Sequence, residues 1–246
     1  MVENAPGDGA GPPSFPSFPS FDDRVPFLVR LEETERKALL ALGRRVTYGL
    51  RTQIIHQHDP STHVLLVLKG RLMVTAAAAK GYVVLLALRR PGDIVGESAA
   101  LSGAPRSASV TTLEEVECAS VGRGTFLDFL ADYPHAHHQL SGLLVDRVRA
   151  GDRRALQFAS LSVRERLAVL LLDLLRSHSR RTESGLELTV PLSQQELAGS
   201  VGASREAIAR LLTDLRRNGV VDTARRRIVV LRPEVLRRIT AGVEGL

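Results

Sequence analysis

The stretch Leu192-Ser193-Gln194-Gln195-Glu196-Leu197-Ala198-Gly199-Ser200-Val201-Gly202-Ala203-Ser204-Arg205-Glu206-Ala207-Ile208-Ala209-Arg210-Leu211-Leu212-Thr213-Asp214-Leu215-Arg216-Arg217 decides the C-terminal fold. Ser193 and Glu196 stand at capping-box spacing and open a helix whose inner face is Leu197, Ala198 and Val201. Gly202 makes the turn. Ser204 then N-caps a second helix with Ile208, Leu211, Leu212 and Leu215 on its buried side. Ala198 and Gly202 are small where the two helices of a helix-turn-helix approach closely. The second helix is left to expose Arg205, Glu206, Ala209, Arg210 and Thr213. In such motifs this end enters the major groove, where arginine bonds guanine through two N–H groups and glutamate accepts from cytosine N4. The plainer alternative is a set of surface salt bridges on an ordinary helical domain. Downstream, Val220-Val221 and Ile228–Leu231 read as a closing hairpin, and Arg225, Arg226 and Arg227 lie between them. Beside a reading helix, that is where a wing touches phosphates; elsewhere it is a solvated turn.

The charge distribution agrees. The net charge is +6, and from Ser162 onward 15 Arg face 10 acidic residues, so almost all the excess lies in the last third. That asymmetry is the footprint of a phosphate-binding module. Arginine abundance by itself says less, because Lys37, Lys69 and Lys80 are the only lysines among the 33 basic residues.

Working back from this module, Leu140, Leu144, Val148, Gly151, Ala155 and Phe158 form one narrow apolar seam along a long helix. Such a seam marks either a dimer interface or packing on its own domain. Before it, Val46–His56, Val64–Lys69, Leu72–Ala78, Val83–Leu88 and Val110–Val121 are short β-prone runs separated by turn signals. They predict an antiparallel β-roll. A polar loop is expected over Ser177–Ser184 and a strand over Leu186–Val190. Residues 1–23, with five prolines, three glycines and a Ser-Phe-Pro reiteration, read as a disordered tail.

Between the β-runs lies Gly96-Glu97-Ser98-Ala99, followed by Pro105-Arg106-Ser107-Ala108. Backbone N–H groups at a helix start, plus one arginine, make an anion site, and Glu97 can accept from a sugar hydroxyl. The histidine groups His56-Gln57-His58 and His135-Ala136-His137-His138 lack acidic or cysteine companions at ligand spacing and read as surface residues rather than metal ligands. No triad or paired-carboxylate pattern points to an enzyme. No apolar run approaches membrane-spanning length, no secretory signal is evident, and one cysteine excludes a disulfide framework, so a cytoplasmic protein is expected.

The Gly96–Val110 stretch resembles the phosphate-binding cassette of cyclic-nucleotide-binding domains. From about Pro26 to Ile239 the chain resembles the cyclic-AMP receptor protein/FNR (Crp/Fnr) family of bacterial transcription regulators, most closely at Ser204-Arg205-Glu206 to Arg210. The resemblance implies an α+β protein with four parts. These are the tail (1–23), a jelly-roll-like β-roll sensor (24–132), a dimerisation helix (133–161) and a winged helix-turn-helix (162–246). It implies that Glu97 bonds a ribose hydroxyl, while Arg106, Ser107 and the backbone of Gly96, Glu97, Ser98 and Ala99 hold a cyclic phosphate. Where the cyclic-AMP receptor protein offers a Thr-Ser pair to the adenine, this chain has Gly151-Asp152, and Asp152 can accept from a base amino group. Ser193, Ser204, Arg205, Glu206, Ala209, Arg210 and Arg225–Arg227 are the implied DNA contacts, in half-sites similar to TGTGA. The implied partners are double-stranded DNA with an inverted repeat, a second copy of the chain, and RNA polymerase. The implied effector is cyclic AMP, then cyclic GMP, with no obligatory cofactor. The lone Cys118 excludes the FNR branch's cysteine-bound cluster and reads as a buried strand residue. A DNA binder with a vestigial cassette and a nucleotide-binding interaction module without DNA specificity are the alternatives.

Overall fold

A computed structural model describes residues 25–77, 83–224 and 226–242; the expected tail lies outside them. Two short helices, α1 (Phe27–Arg30) and α2 (Glu33–Ala41), lead into β1 (Arg44–Tyr48), β2 (Gln53–Ile55), β3 (Val64–Lys69), β4 (Leu72–Ala77), β5 (Val83–Arg89) and β6 (Ile94–Val95). Helix α3 (Glu97–Ser102), β7 (Ser109–Thr112), β8 (Val116–Val121) and α4 (Arg123–Asp132) complete the N-terminal unit, the expected sensor. The strands form two antiparallel four-stranded sheets, β1-β8-β3-β6 and β2-β7-β4-β5.

Strand alternation builds the layers. On β3, Val64 and Leu66 face a core shared with α1, α2 and α4, while Leu65 and Val67 face the core between the sheets. That explains the unbroken apolar run: a strand buried on both faces needs no polar positions. Cys118 sits in the inter-sheet core, and burial pushes its thiol up to about 12. The runs expected at Val46–His56 and Val110–Val121 are each two strands. Arg51, at φ 59°, turns the first, and residues 113–115 break the second.

The long helix α5 (Pro134–Ser160) has 27 residues. Polar contacts tie it to the sensor, among them His135 with Glu35 at 2.9 Å, Arg30 with Asp146 at 2.8 Å, Arg147 with Glu97, and Arg154 with the Leu86 carbonyl at 2.9 Å. His135 is exposed, as expected of a surface histidine, and pairs with the buried Glu35. Leu140 is also buried in the sensor core, so it leaves the expected seam. Val145, Val148, Leu156 and Phe158 are the exposed large apolar side chains of the helix.

The C-terminal unit comprises α6 (Val163–Ser177), β9 (Ser179–Arg181), β10 (Leu186–Leu188), α7 (Gln194–Val201), α8 (Arg205–Arg217), β11 (Val221–Ala224), β12 (Arg227–Val230) and α9 (Pro233–Thr240). Its sheet runs β11-β12-β10-β9. Strand β9 falls where a polar loop was expected. Ser-Arg-Arg has no apolar alternation, and the strand exists because β10 offers an antiparallel edge. A single core joins this unit to the outer face of the second sensor sheet, with Met73, Leu85, Leu88 and Leu113 packed among Leu167, Leu170 and Leu197.

Candidate nucleic-acid interface and effector cassette

Helix α7 begins as its sequence dictates. The Ser193 hydroxyl accepts from the Glu196 N–H, and the Glu196 carboxylate accepts from the Ser193 N–H at 2.6 Å. Gly202 ends the helix at φ 63°. A Cβ there meets the Phe158 ring of α5 at 2.7 Å, so the glycine accommodates the long helix rather than α8. The closest approach comes instead at Gly199, where a Cβ would lie 1.9 Å from the Val83 carbonyl oxygen of β5. The helix-turn-helix is thus seated on the sensor by bare backbone.

Polar contacts frame this seat. Arg51 donates to the Pro191 carbonyl at 3.1 Å, and Arg71 donates to Thr189 Oγ1 at 2.7 Å while pairing with Glu114. At the junction of α5 and α6, Arg166 donates to the carbonyls of Leu161 (2.7 Å) and Val201 (2.8 Å), and its guanidinium lies 5.1 Å from the centre of the Phe158 ring. One side chain therefore fastens the end of α5 to the end of α7. Arg51, Arg71, Gly199 and Arg166 carry no motif in the sequence and only the fold reveals them.

Ser204 caps α8 by accepting from the Ala207 N–H at 3.1 Å. Ile208, Leu212 and Leu215 are buried, whereas Arg205, Glu206 and Arg210 are exposed and Ala209 is partly so. A hydrogen bond from its own backbone N–H, then one from Ser204, hold the Glu206 carboxyl below the usual value, helped by Arg205 and Arg210. Thr213 bonds back to the Ala209 carbonyl and presents no free hydroxyl proton. A groove of about 620 Å³ runs between α7, α8 and the β11–β12 hairpin, lined by Ser193, Gln194, Arg205, Arg216, Arg226 and Arg227.

The hairpin arginines differ among themselves. Arg225 lies outside the described residues. Arg227 is tied to Glu187 at 3.1 Å and faces Asp222 at 3.8 Å, so much of its charge is spent bracing the sheet. Arg226 is exposed at the turn with φ 56°, a left-handed conformation costly for a residue with a Cβ. Arg226→Gly is expected to leave fold stability unchanged or raise it by up to about 1 kcal/mol. The same change should lower the salt dependence of duplex binding by about one counterion. Paired thermal melts and salt titrations check both signs.

Glu187 joins Arg180 of β9 and Arg227 of β12 into one cross-strand triad. Burial works to raise its carboxyl, but the two guanidinium hydrogen bonds outweigh burial and hold it below the usual value. A depressed folded-state pKa gives stability that is present above the unfolded value, about 4.3, and lost as pH falls through the folded value. Glu187→Gln is therefore expected to lower the melting temperature at neutral pH. The gap to the parent should close in acid, and a gap constant with pH would contradict the triad's role.

In the sensor, Gly96 takes φ 87°, and a Cβ there would lie 2.5 Å from Arg106 Nη1. Arg106, 2% exposed, donates Nε–H to Ser61 Oγ (3.1 Å), Nη1–H to the Gly96 carbonyl (3.1 Å) and Nη2–H to the His63 carbonyl (2.7 Å). Glu97 is buried, and its carboxylate accepts from Arg147 of α5, which also donates to the Ile94 carbonyl at 3.1 Å. Ala99 is buried, whereas Ser98 and Ser107 are exposed beside the cassette. Gly151 and Asp152 stand apart, exposed on α5, and a Cβ on Gly151 meets nothing within 4 Å. The structure thus brings Gly96, Glu97 and Arg106 together and leaves Asp152 outside the cluster. It adds Arg147, Ser61 and His63, which sequence spacing does not single out.

Residues 45–133 match the family model for the cyclic nucleotide-binding domain, and residues 165–239 match the Crp-like helix-turn-helix domain. The chain belongs to the Crp/Fnr family of transcription regulators. This Crp/Fnr protein is 28% identical over 207 residues to the CRP-like cAMP-activated global transcriptional regulator of Mycobacterium tuberculosis (strain H37Rv), covering 83% of this chain and 92% of that one. It is 29% identical over 218 residues to the cyclic AMP receptor protein of Thermus thermophilus, covering 89% and 98%. Among solved structures, the c-di-GMP responsive global regulator CLP of Xanthomonas campestris superposes with a TM-score of 0.74 at 24% identity, covering 81% of this chain and 99% of that one. The family match supports the α+β reading, with a β-roll, a long helix and a helix-turn-helix. No described helix is long and apolar enough to cross a membrane.

Proposed function

We propose that the protein is a homodimeric, sequence-specific DNA-binding regulator whose reading surface is the exposed tip of α8 and whose sensor takes a cyclic nucleotide. The observation that carries the DNA half is the outward presentation of Arg205, Glu206 and Arg210 beside the groove that ends at Arg226. Arginine and an ionised glutamate on adjacent positions suit guanine and cytosine edges, and Ser193, Ser204 and Ala209 line the approach. Dimerisation through the exposed Val145, Val148 and Leu156 side of α5 sets two such tips about one helical turn apart on an inverted repeat.

For the effector, Arg106, Ser107 and the Gly96–Ala99 backbone hold the phosphate and Glu97 the sugar, with no part assigned to Asp152, which is exposed on α5 outside that cluster. Cyclic AMP is the first candidate and cyclic GMP the second. RNA polymerase is a further partner, the setting is cytoplasmic, and the role is regulatory rather than enzymatic. A second reading is favoured by one observation. Arg106 and Glu97 are already bonded to Gly96, His63 and Arg147, which suits a binder competent without ligand. Titration of cyclic AMP, then cyclic GMP, against affinity for an inverted-repeat duplex separates the two. Ligand-dependent tightening that Arg106→Ala abolishes supports gating. Tight binding indifferent to both nucleotides supports the second reading.

A further inference from the structure

Arg106 has five N–H groups. Ser61 Oγ, the Gly96 carbonyl and the His63 carbonyl take three, and Nη2 also lies 3.2 Å from the His63 ring nitrogen Nδ1. A guanidinium only donates, so Nδ1 must be unprotonated and His63 neutral, with its hydrogen on Nε2. The other Nη1–H meets none of these acceptors.

Resting on the reading of this cassette as an effector site, we propose that His63 is a positioning residue of that site, aiming Arg106 through its ring and carbonyl and taking up a proton when an anionic effector binds. Protonating His63 alone removes an acceptor from Arg106 and sets two cations against each other. An anion held by Arg106 cancels that repulsion, so the bound state keeps a proton on the imidazole more readily.

The charged groups around the ring all lie within the same corner. Arg106 faces it directly, Asp59 comes from the loop that follows β2, and Glu97 of α3 and His56 act on Arg106 and Asp59 in turn. Burial first, and the Arg106 cation second, press the imidazole below the ordinary histidine value, while Asp59 opposes them. Asp59 is itself occupied, accepting from the Ser61 N–H at 2.7 Å. The sign follows: affinity for the anion rises as pH falls, by about tenfold for each pH unit by which the anion lifts the imidazole's midpoint.

The test is calorimetry of cyclic AMP binding to the full chain at about pH 5.5 and about pH 8, bracketing the ordinary histidine range, in two buffers of different ionisation heat. The parent is expected to bind several-fold tighter in acid, with net proton uptake. His63→Gln keeps an acceptor but cannot titrate, and is expected to bind with neither uptake nor pH dependence. Equal pH dependence in His63→Gln, or pH-independent binding by the parent, overturns the proposal alone. No binding at either pH overturns the effector reading and the positioning role with it. Ring titration of His63 by NMR without nucleotide gives an independent check. Arg106→Gln should move the midpoint upward, and an unmoved midpoint contradicts the pairing.

Discussion

Gly199→Ala is expected to lift the helix-turn-helix off the sensor. The added carbon would lie 1.9 Å from the Val83 carbonyl oxygen and 2.9 Å from its carbon, both backbone atoms of a strand paired into a sheet. Neither can rotate away, so α7 must retreat from β5. Overpacking of this kind typically costs about 1–3 kcal/mol, against a helix-propensity gain of about 1 kcal/mol for alanine over glycine. The polar frame sits beside the contact, so the retreat also loosens Arg51 from Pro191 and Glu196 and Arg71 from Thr189. The shared core of Met73, Leu85, Leu88 and Leu197 opens with it. Heat should then unfold the variant in two steps where the parent unfolds in one, and amide exchange in β5 should quicken. A single transition with unchanged β5 protection would show that the two units are not seated as described.

Arg205→Ala carries the second large effect. A bidentate arginine–guanine pair is worth roughly 1–3 kcal/mol of discrimination, and a dimer on an inverted repeat uses two, so specific affinity should fall by roughly 2–6 kcal/mol. Random duplex loses only a charge near phosphate, which shows as a smaller salt slope with little change in rank order. The helix itself should survive, since Ser204 still caps it and Ile208, Leu212 and Leu215 remain buried. Circular dichroism of the variant distinguishes lost reading from lost folding. Equal losses on specific and random duplexes would remove Arg205 from the reading surface.

The sequence was most legible where local rules and burial agree. Ser193, Glu196, Gly202 and Ser204 cap and turn helices through their own side chains or backbone, so the helix-turn-helix is written within a few dozen residues. The cassette glycine and arginine were visible for the same reason. Long-range partners were not. Nothing in its surroundings marks Gly199 as the seat of a strand more than a hundred positions earlier, or Arg147 as the partner of Glu97. Leu140 belongs by spacing to the expected seam, yet it is buried in the core that α5 shares with α1 and α4, because periodicity identifies a face without saying what meets it. The Arg225–Arg227 run reads as uniform charge, whereas Glu187 on a neighbouring strand claims Arg227 and leaves Arg226 outward.

Selection of bound duplexes from a random-sequence pool, run in parallel for the parent chain and Arg205→Ala, tests the reading role of α8 most directly. The parent, with cyclic AMP under the gated reading and with or without it under the second, should enrich an inverted repeat with half-site centres about one helical turn apart. Arg205→Ala should lose preference at one position of each half-site. A pool that stays random for the parent in both conditions, despite measurable binding, would contradict the assignment of α8 as a base-reading helix.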